Sequence, residues 1–429
     1  MKRTEPVVVR RLLLVLAVGV AAAAAAASII GAREMSSPAD YQAAIAFCCL
    51  VAVGELLRVN LPGDRDAAPI GGAAVIGYAL LVRVDGEVAR HAAADVITVA
   101  AAGCFLTAIV HLLAQRDPRP VDIAARILGA ATTAWLFRPW LADHPAEALG
   151  RPSTSLVVAM AIATLAGGAV GTTVAACERA ARLRAPFIAT LRNEVQAQLG
   201  LGAAMASTGI LLALSVPKLG LWALLVFMGP LLVTQFSFRR YASISATYRQ
   251  TIRALSRVTE VSGHVETGHS RRVMNLSVAM GREFGMTESE LLDLEYAALM
   301  HDIGQLSLTD PIPRGSTLTV APSERRRIAE LGAAVIRSTG TMDRVAHIVG
   351  CQANAYRKMR ETVDVEVPLP SRIVKTASAY DDLITASRVV RGKRASWDAL
   401  ERLRLGMAYE YDPRVIEALT KVLRRSGDL

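Results

Sequence analysis

The feature that most constrains this chain is a series of apolar runs, each close to the thickness of a bilayer, that fills its first half. A hydrocarbon core of about 30 Å is crossed by roughly 20 helical residues, and helices satisfy their own backbone polar groups inside it. The cleanest run, residues 12–30, stands behind Lys2, Arg3, Arg10 and Arg11. Further runs cover residues 41–57, 69–82, 92–113, 123–137, 153–177, 200–216 and 219–236. Eight spans are therefore expected; the third is short and the fifth is interrupted by Arg126. The charged front and alanine run of the first span also suit a signal peptide, but the spans that follow favour an uncleaved first helix.

Composition excludes two other classes. With 52% hydrophobic and 20% charged residues, the chain is neither disordered nor an ordinary soluble enzyme. The net charge of +10 is first an anchoring charge. With the N-terminus inside, the inside segments carry fourteen Lys and Arg and the outside loops six, so both termini are expected in the cytoplasm. The five cysteines form no CxxC pair, and four of them lie in apolar runs, which reads as small hydrophobes rather than disulfides or zinc ligands. Glu55, Asp95, His111 and Arg126 fall inside spans. Such groups mark a ligand or ion path, or, for Glu55 and His111, side chains reaching the interface near helix ends.

The composition changes near residue 236, beyond which 29 basic and 23 acidic residues give a normal globular density. Three parts are expected: a membrane domain over 1–236, a linker helix over 237–260 and a cytoplasmic domain over 261–429. In the linker, Tyr241, Ile244, Tyr248, Leu255 and Val258 fall near heptad spacing, which suits pairing with a second copy or an ordinary amphipathic helix. The last part repeats apolar residues at three and four spacing and predicts an all-helical bundle, so the fold class is all-α throughout.

Within that bundle, His301 and Asp302 are adjacent at the end of an apolar helix, and His269 opens a helix before it. Imidazole nitrogen and carboxylate oxygen together suit a divalent metal, and an antiparallel helix pair could bring the three to one point. Four segments carry a resemblance: GHSRRV (268–273), ALMHDIGQL (298–306), VPLPSRIVKTASAYDDL (367–383) and YDPRVIEALTKVL (411–423). They resemble the HD superfamily of metal-dependent phosphohydrolases, and its HD-GYP branch in particular. The resemblance implies a helical bundle, a divalent metal such as Fe or Mn, and cyclic di-GMP hydrolysis as the inherited chemistry.

The family pattern is only partly kept. His269, His301 and Asp302 match metal ligands of the family, while Ile328, Gln352, Ala353 and Ser378 stand where further ligands are expected, and Gln305 replaces a lysine. The GYP loop is absent, and the segment before VPLP is shortened. His347, four residues from Cys351 on one helix face, is a possible replacement ligand, and Asp381 is expected to face elsewhere. Arg272, Arg388 and Arg391 match phosphate-binding positions, and a guanidinium can hold phosphate without catalysis. The expected function is a membrane-anchored signalling protein in a bacterial cell membrane, whose degenerate domain binds a cyclic dinucleotide or gives a regulatory output. The alternatives are a working phosphodiesterase with a reduced metal site and a protein-interaction scaffold. Expected partners are the membrane, a cyclic dinucleotide and a second copy through the linker helix, with no nucleic acid.

Overall fold

A computed structural model of the chain describes residues 5–31, 38–61, 65–84, 86–115, 119–149, 152–183, 185–312, 315–357, 367–391 and 395–429. The chain divides into two compact units, Met1–Ser243 and Ile244–Leu429. Among the described residues, regular structure is helical except for two short antiparallel pairs in the first unit, Val59–Leu61 with Arg65–Ala67 and Arg83–Val84 with Glu87–Val88.

The helices of the first unit are α1 (Glu5–Gly31), α2 (Pro38–Leu56), α3 (Pro69–Ala79), α4 (Ala93–Leu113), α5 (Pro120–Asp143), α6 (Pro145–Leu149), α7 (Thr154–Leu183) and α8 (Phe187–Leu219), with α9 (Trp222–Val261) running on into the second. Six of the described helices are long and apolar enough to cross a membrane, in α1, α2, α4, α7, α8 and α9. These six coincide with six of the eight expected runs, and the third and fifth runs fall on α3 and α5. Helix α3 has 11 residues, about 16 Å at 1.5 Å per residue, and is enclosed instead, with Ile70, Ala73, Ala74 and Tyr78 buried. Helix α5 is long enough but carries Asp122, Arg126, Arg138 and Asp143, which cost too much apolar character. The other helices show large apolar side chains outward, among them Leu12, Leu113, Ile162, Leu165 and Val233, a surface suited to lipid.

The charged and polar groups of these helices find partners or burial within the first unit. Glu55 is buried and accepts from Arg126 Nη1 at 2.7 Å, while His111 is also buried. Asp95 accepts from Ser28 Oγ and caps the start of α4 through Ala92 N at 2.7 Å. A charge in an apolar bundle persists when it is paired, and the neighbouring helix supplies the partner.

The second unit contains the end of α9, then α10 (His269–Glu283), α11 (Glu288–Met300), α12 (Pro322–Arg337), α13 (Asp343–Cys351), α14 (Leu369–Arg391), α15 (Ala395–Leu405) and α16 (Pro413–Ser426). The expected linker is not a separate piece, because Ile252 of α9 is buried in the bundle core with Val273, Leu294, Ala297, Val374, Leu400 and Leu419. The apolar linker positions Tyr241, Ile244, Tyr248, Leu255 and Val258 are exposed. Local signals set the helix ends that matter. Thr287 and Glu290 form a reciprocal capping box at the start of α11, with Thr287 N donating to Glu290 Oε2 at 2.8 Å. Gly268, in the left-handed region at φ 81°, turns the chain into α10 and so points His269 inward.

Candidate metal centre and its pocket

His269 is the first residue of α10, and His301 and Asp302 follow the last residue of α11; all three are buried. One ligand atom from each lies within 4.8 Å of the others. His301 Nδ1 donates to the Ala298 carbonyl at 2.9 Å. His269 Nδ1 donates to Asp381 Oδ2 at 2.8 Å. A carbonyl or carboxylate can only accept, so each Nδ1 carries its proton and each Nε2 is turned toward the other, 3.3 Å apart. Asp302 Oδ2 lies 3.0 Å from His301 Nε2 and 3.4 Å from His269 Nε2. It is buried with no well-directed hydrogen bond. Ligand atoms that converge on one point suit a cation, and anchoring the far nitrogen of each imidazole is what a metal-ligating histidine requires.

Two neighbours hold the carboxylates. Arg272 grips Asp381 with two contacts, Nε to Oδ1 and Nη2 to Oδ2, both at 2.8 Å. Asp381 therefore orients His269 and does not face elsewhere as expected; Arg272, a phosphate position by sequence, is engaged in holding it. Gln305 Nε2 donates to Asp302 Oδ1 at 2.8 Å and to the Gly315 carbonyl at 3.1 Å, so the residue that replaces a lysine fixes the carboxylate. Gly304 permits this turn to approach α12, since a Cβ there would lie 2.0 Å from the Ile328 carbonyl oxygen.

Charge explains the proton affinities. Burial opposes protonation of His269, but the neighbouring carboxylates of Asp302 and Asp381 outweigh it and push its pKa up to about 10. Burial also works against the Asp302 anion, yet His301 and His269 hold its carboxyl well below the usual range. Asp382, absent from the sequence expectation, is pushed up to about 6 by burial, and its Oδ2 accepts from Ser316 Oγ at 2.8 Å. A divalent ion would compete with the proton on His269.

A cavity of about 50 Å³ is lined by His301 and Asp302, two of the three candidate ligands. Ser378, Asp382 and Lys375 of α14, Ile328 and Arg325 of α12, and Gln352 and Ala353 also line it. The four substituted positions thus do reach the site. Ser378 Oγ is 3.2 Å from His301 Nε2, Gln352 spends its amide on the His301 carbonyl at 2.7 Å, and Ile328 and Ala353 offer no ligand atom. His347 does not reach it: it is exposed on α13 and faces Cys351 Sγ at 3.9 Å. The side chains of Arg388 and Arg391 lie outside the described residues, as do residues 358–366 before VPLP.

Residues 253–415 match the HD domain family. The second unit carries an HD domain. Two relatives extend the match to the HD-GYP branch. One is the cyclic di-GMP phosphodiesterase response regulator RpfG of Xanthomonas campestris, 23% identical over 185 residues, which are 40% of this chain and 47% of the relative. The other is a cyclic di-GMP phosphodiesterase of Thermotoga maritima, 24% identical over 202 residues, 45% of this chain and 53% of the relative. The chain spans about half the length of these curated relatives. The HD domain is thus distantly related to cyclic di-GMP phosphodiesterases, and it places the His269, His301 and Asp302 group at the ends of α10 and α11. Sequence reasoning missed Asp382, Lys375 and Arg325; the paired aspartates of KTASAYDDL were the available signal for the first.

Proposed function

We propose that this is a multi-pass membrane protein of nucleotide signalling, whose HD domain holds a divalent metal at His269, His301 and Asp302 and binds a cyclic dinucleotide of the cyclic di-GMP class. The observation that carries it is the convergence of three ligand atoms within 4.8 Å, two of them on imidazoles whose other nitrogen is anchored. When bound, the metal would supply charge for phosphate oxygens and an acidified water. Asp381 and Ala298 orient the imidazoles, Gln305 holds Asp302, and the cavity of about 50 Å³ has room for a phosphate group.

Binding is favoured over turnover because Ile328, Ala353 and Gln352 bring no ligand charge to the wall where a second ion would need it, and Ser378 brings only a hydroxyl. The second reading, a phosphodiesterase with a reduced site, is favoured by Asp382, a further carboxylate on the cavity wall. Pairing with a second copy through the exposed apolar positions of α9 belongs to the same proposal. The deciding experiment measures metal content, cyclic di-GMP binding and cyclic di-GMP hydrolysis by the full chain in lipid nanodiscs. Bound metal and ligand with hydrolysis at background supports the proposal. Hydrolysis abolished by Asp302→Asn replaces it with the enzyme reading, and absence of any ligand binding leaves the scaffold.

A further inference from the structure

The cavity beside His301 and Asp302 is lined by two carboxylates, Asp302 and Asp382, and by two cations, Lys375 and Arg325. Lys375 lies three residues before Ser378 on α14, and Arg325 three before Ile328 on α12, so helical geometry sends both toward the cavity that Ser378 and Ile328 line. Lys375 Nζ donates to the Asn354 carbonyl at 2.8 Å and to Glu410 Oε1 at 2.6 Å. Arg325 Nη1 lies 3.6 Å from the same Glu410 oxygen, while its Nε is buried with no hydrogen-bond partner. One carboxylate oxygen thus serves two cations whose donors it does not exhaust.

The anion is also the outermost member. The Glu410 side chain is 33% exposed, against 20% for Arg325 and 10% for Lys375. Glu410 sits on a tight turn before α16, where its N donates to the Gly406 carbonyl at 2.9 Å and Ala408 adopts φ 70°. The cations are thus the more enclosed members of the trio and the carboxylate the one nearest solvent.

We propose that Lys375 and Arg325 form the anion clamp of this pocket, which takes a phosphate group of the ligand, and that Glu410 is an internal counter-anion the phosphate displaces. Two converging cations match the several oxygens of a phosphate better than the single shared oxygen of a carboxylate. The clamp would assign phosphate recognition to α12 and α14 in place of Arg272, which is committed to Asp381. It rests on the proposed function only in that the pocket receives a phosphate group.

The test titrates the full chain in nanodiscs with cyclic di-GMP and, separately, with inorganic pyrophosphate, for wild type, Lys375→Met, Lys375→Arg, Arg325→Met and Glu410→Gln. Lys375→Met and Arg325→Met should each weaken binding about ten-fold or more, Lys375→Arg should retain most of it, and Glu410→Gln should tighten it a few-fold. Wild-type affinity for cyclic di-GMP in both Met variants overturns the clamp and leaves the proposed function standing. Pyrophosphate binding that depends on Lys375, with no cyclic di-GMP binding, keeps the clamp and removes that function. Binding of neither probe overturns the clamp. If thermal melting shows that the Met variants do not fold, the Glu410→Gln result decides, and unchanged affinity overturns the proposal.

Discussion

The chemistry of this site rests on which nitrogen of each imidazole is turned toward Asp302, and that is decided by the group behind the ring. His301 takes its orientation from a carbonyl three residues back, a contact within its own helix end. His269 takes it from Asp381, 112 residues away in sequence. The three ligands were legible from their spacing, but the role of Asp381 was not, because no local pattern reports a contact between α10 and α14. Asp381→Asn keeps the side-chain volume but removes the charge that orients His269 and strengthens it as a ligand. Divalent-metal affinity, read by competition with a chelating dye, should fall roughly 10- to 100-fold with His269, His301 and Asp302 intact. Unchanged affinity would show that Asp381 does not support the ligand. Ser378→Asp should act in the opposite direction, since the residue already stands 3.2 Å from His301 Nε2 and would add an anionic ligand; the same dye competition should report tighter binding.

At the scale of elements, two joints carry the site. The turn Ile303–Ser307 packs on α12 through Gly304, where an added Cβ would meet backbone, which cannot move aside as a flexible side chain can. Gly304→Ala should cost about 1–3 kcal/mol and lower metal occupancy by displacing Asp302, as melting and metal analysis of the same samples would report. The second joint is Asp412, which caps α16 through Arg414 N at 2.9 Å and pairs with buried Arg372 at 2.7 Å. Burial alone would raise the pKa of Asp412, but its contacts with Arg414 and Arg372 lower it below the ordinary carboxylate value. A depressed folded-state pKa contributes stability above the unfolded value near 3.9, and that stability is lost as pH falls through the lower folded value. Asp412→Asn keeps a capping oxygen and loses the charge, so it should destabilise the HD domain by on the order of 3 kcal/mol at neutral pH. Its melting temperature, followed through Trp397 fluorescence, should then change less than wild type between pH 5 and pH 3, limits set about the carboxylate range. An equal acid response in the two proteins would show that Asp412 is not the titrating group.

For the whole molecule, the prediction is one of topology. An even number of spans, six or eight, would return the chain to the side on which it began, and the charge asymmetry predicts that this side is the cytoplasm. Cys351, partly exposed on α13, is a natural reporter once the other four cysteines are replaced by alanine. A maleimide that cannot cross the membrane should label it only after cells are opened, and labelling of intact cells would place the HD domain outside.

What the sequence determined by itself was whatever depends on composition and near-neighbour period. The bilayer-length apolar runs, the return of charge near residue 236 and the helical bundle were all readable there, and motif resemblance marked His269, His301 and Asp302 as candidate ligands. Tertiary structure alone decided that α3 is enclosed and too short to span, that Glu55 meets Arg126 inside the bundle, and that His347 faces away from the site. It alone also brought Lys375 and Arg325 to the cavity wall and Glu410 into contact with both. The reason is range. Hydrophobic period and helix caps act within a few residues, whereas an ion pair or pocket joins side chains that only packing of distant helices can bring together, and the same residue types occur elsewhere on solvated faces.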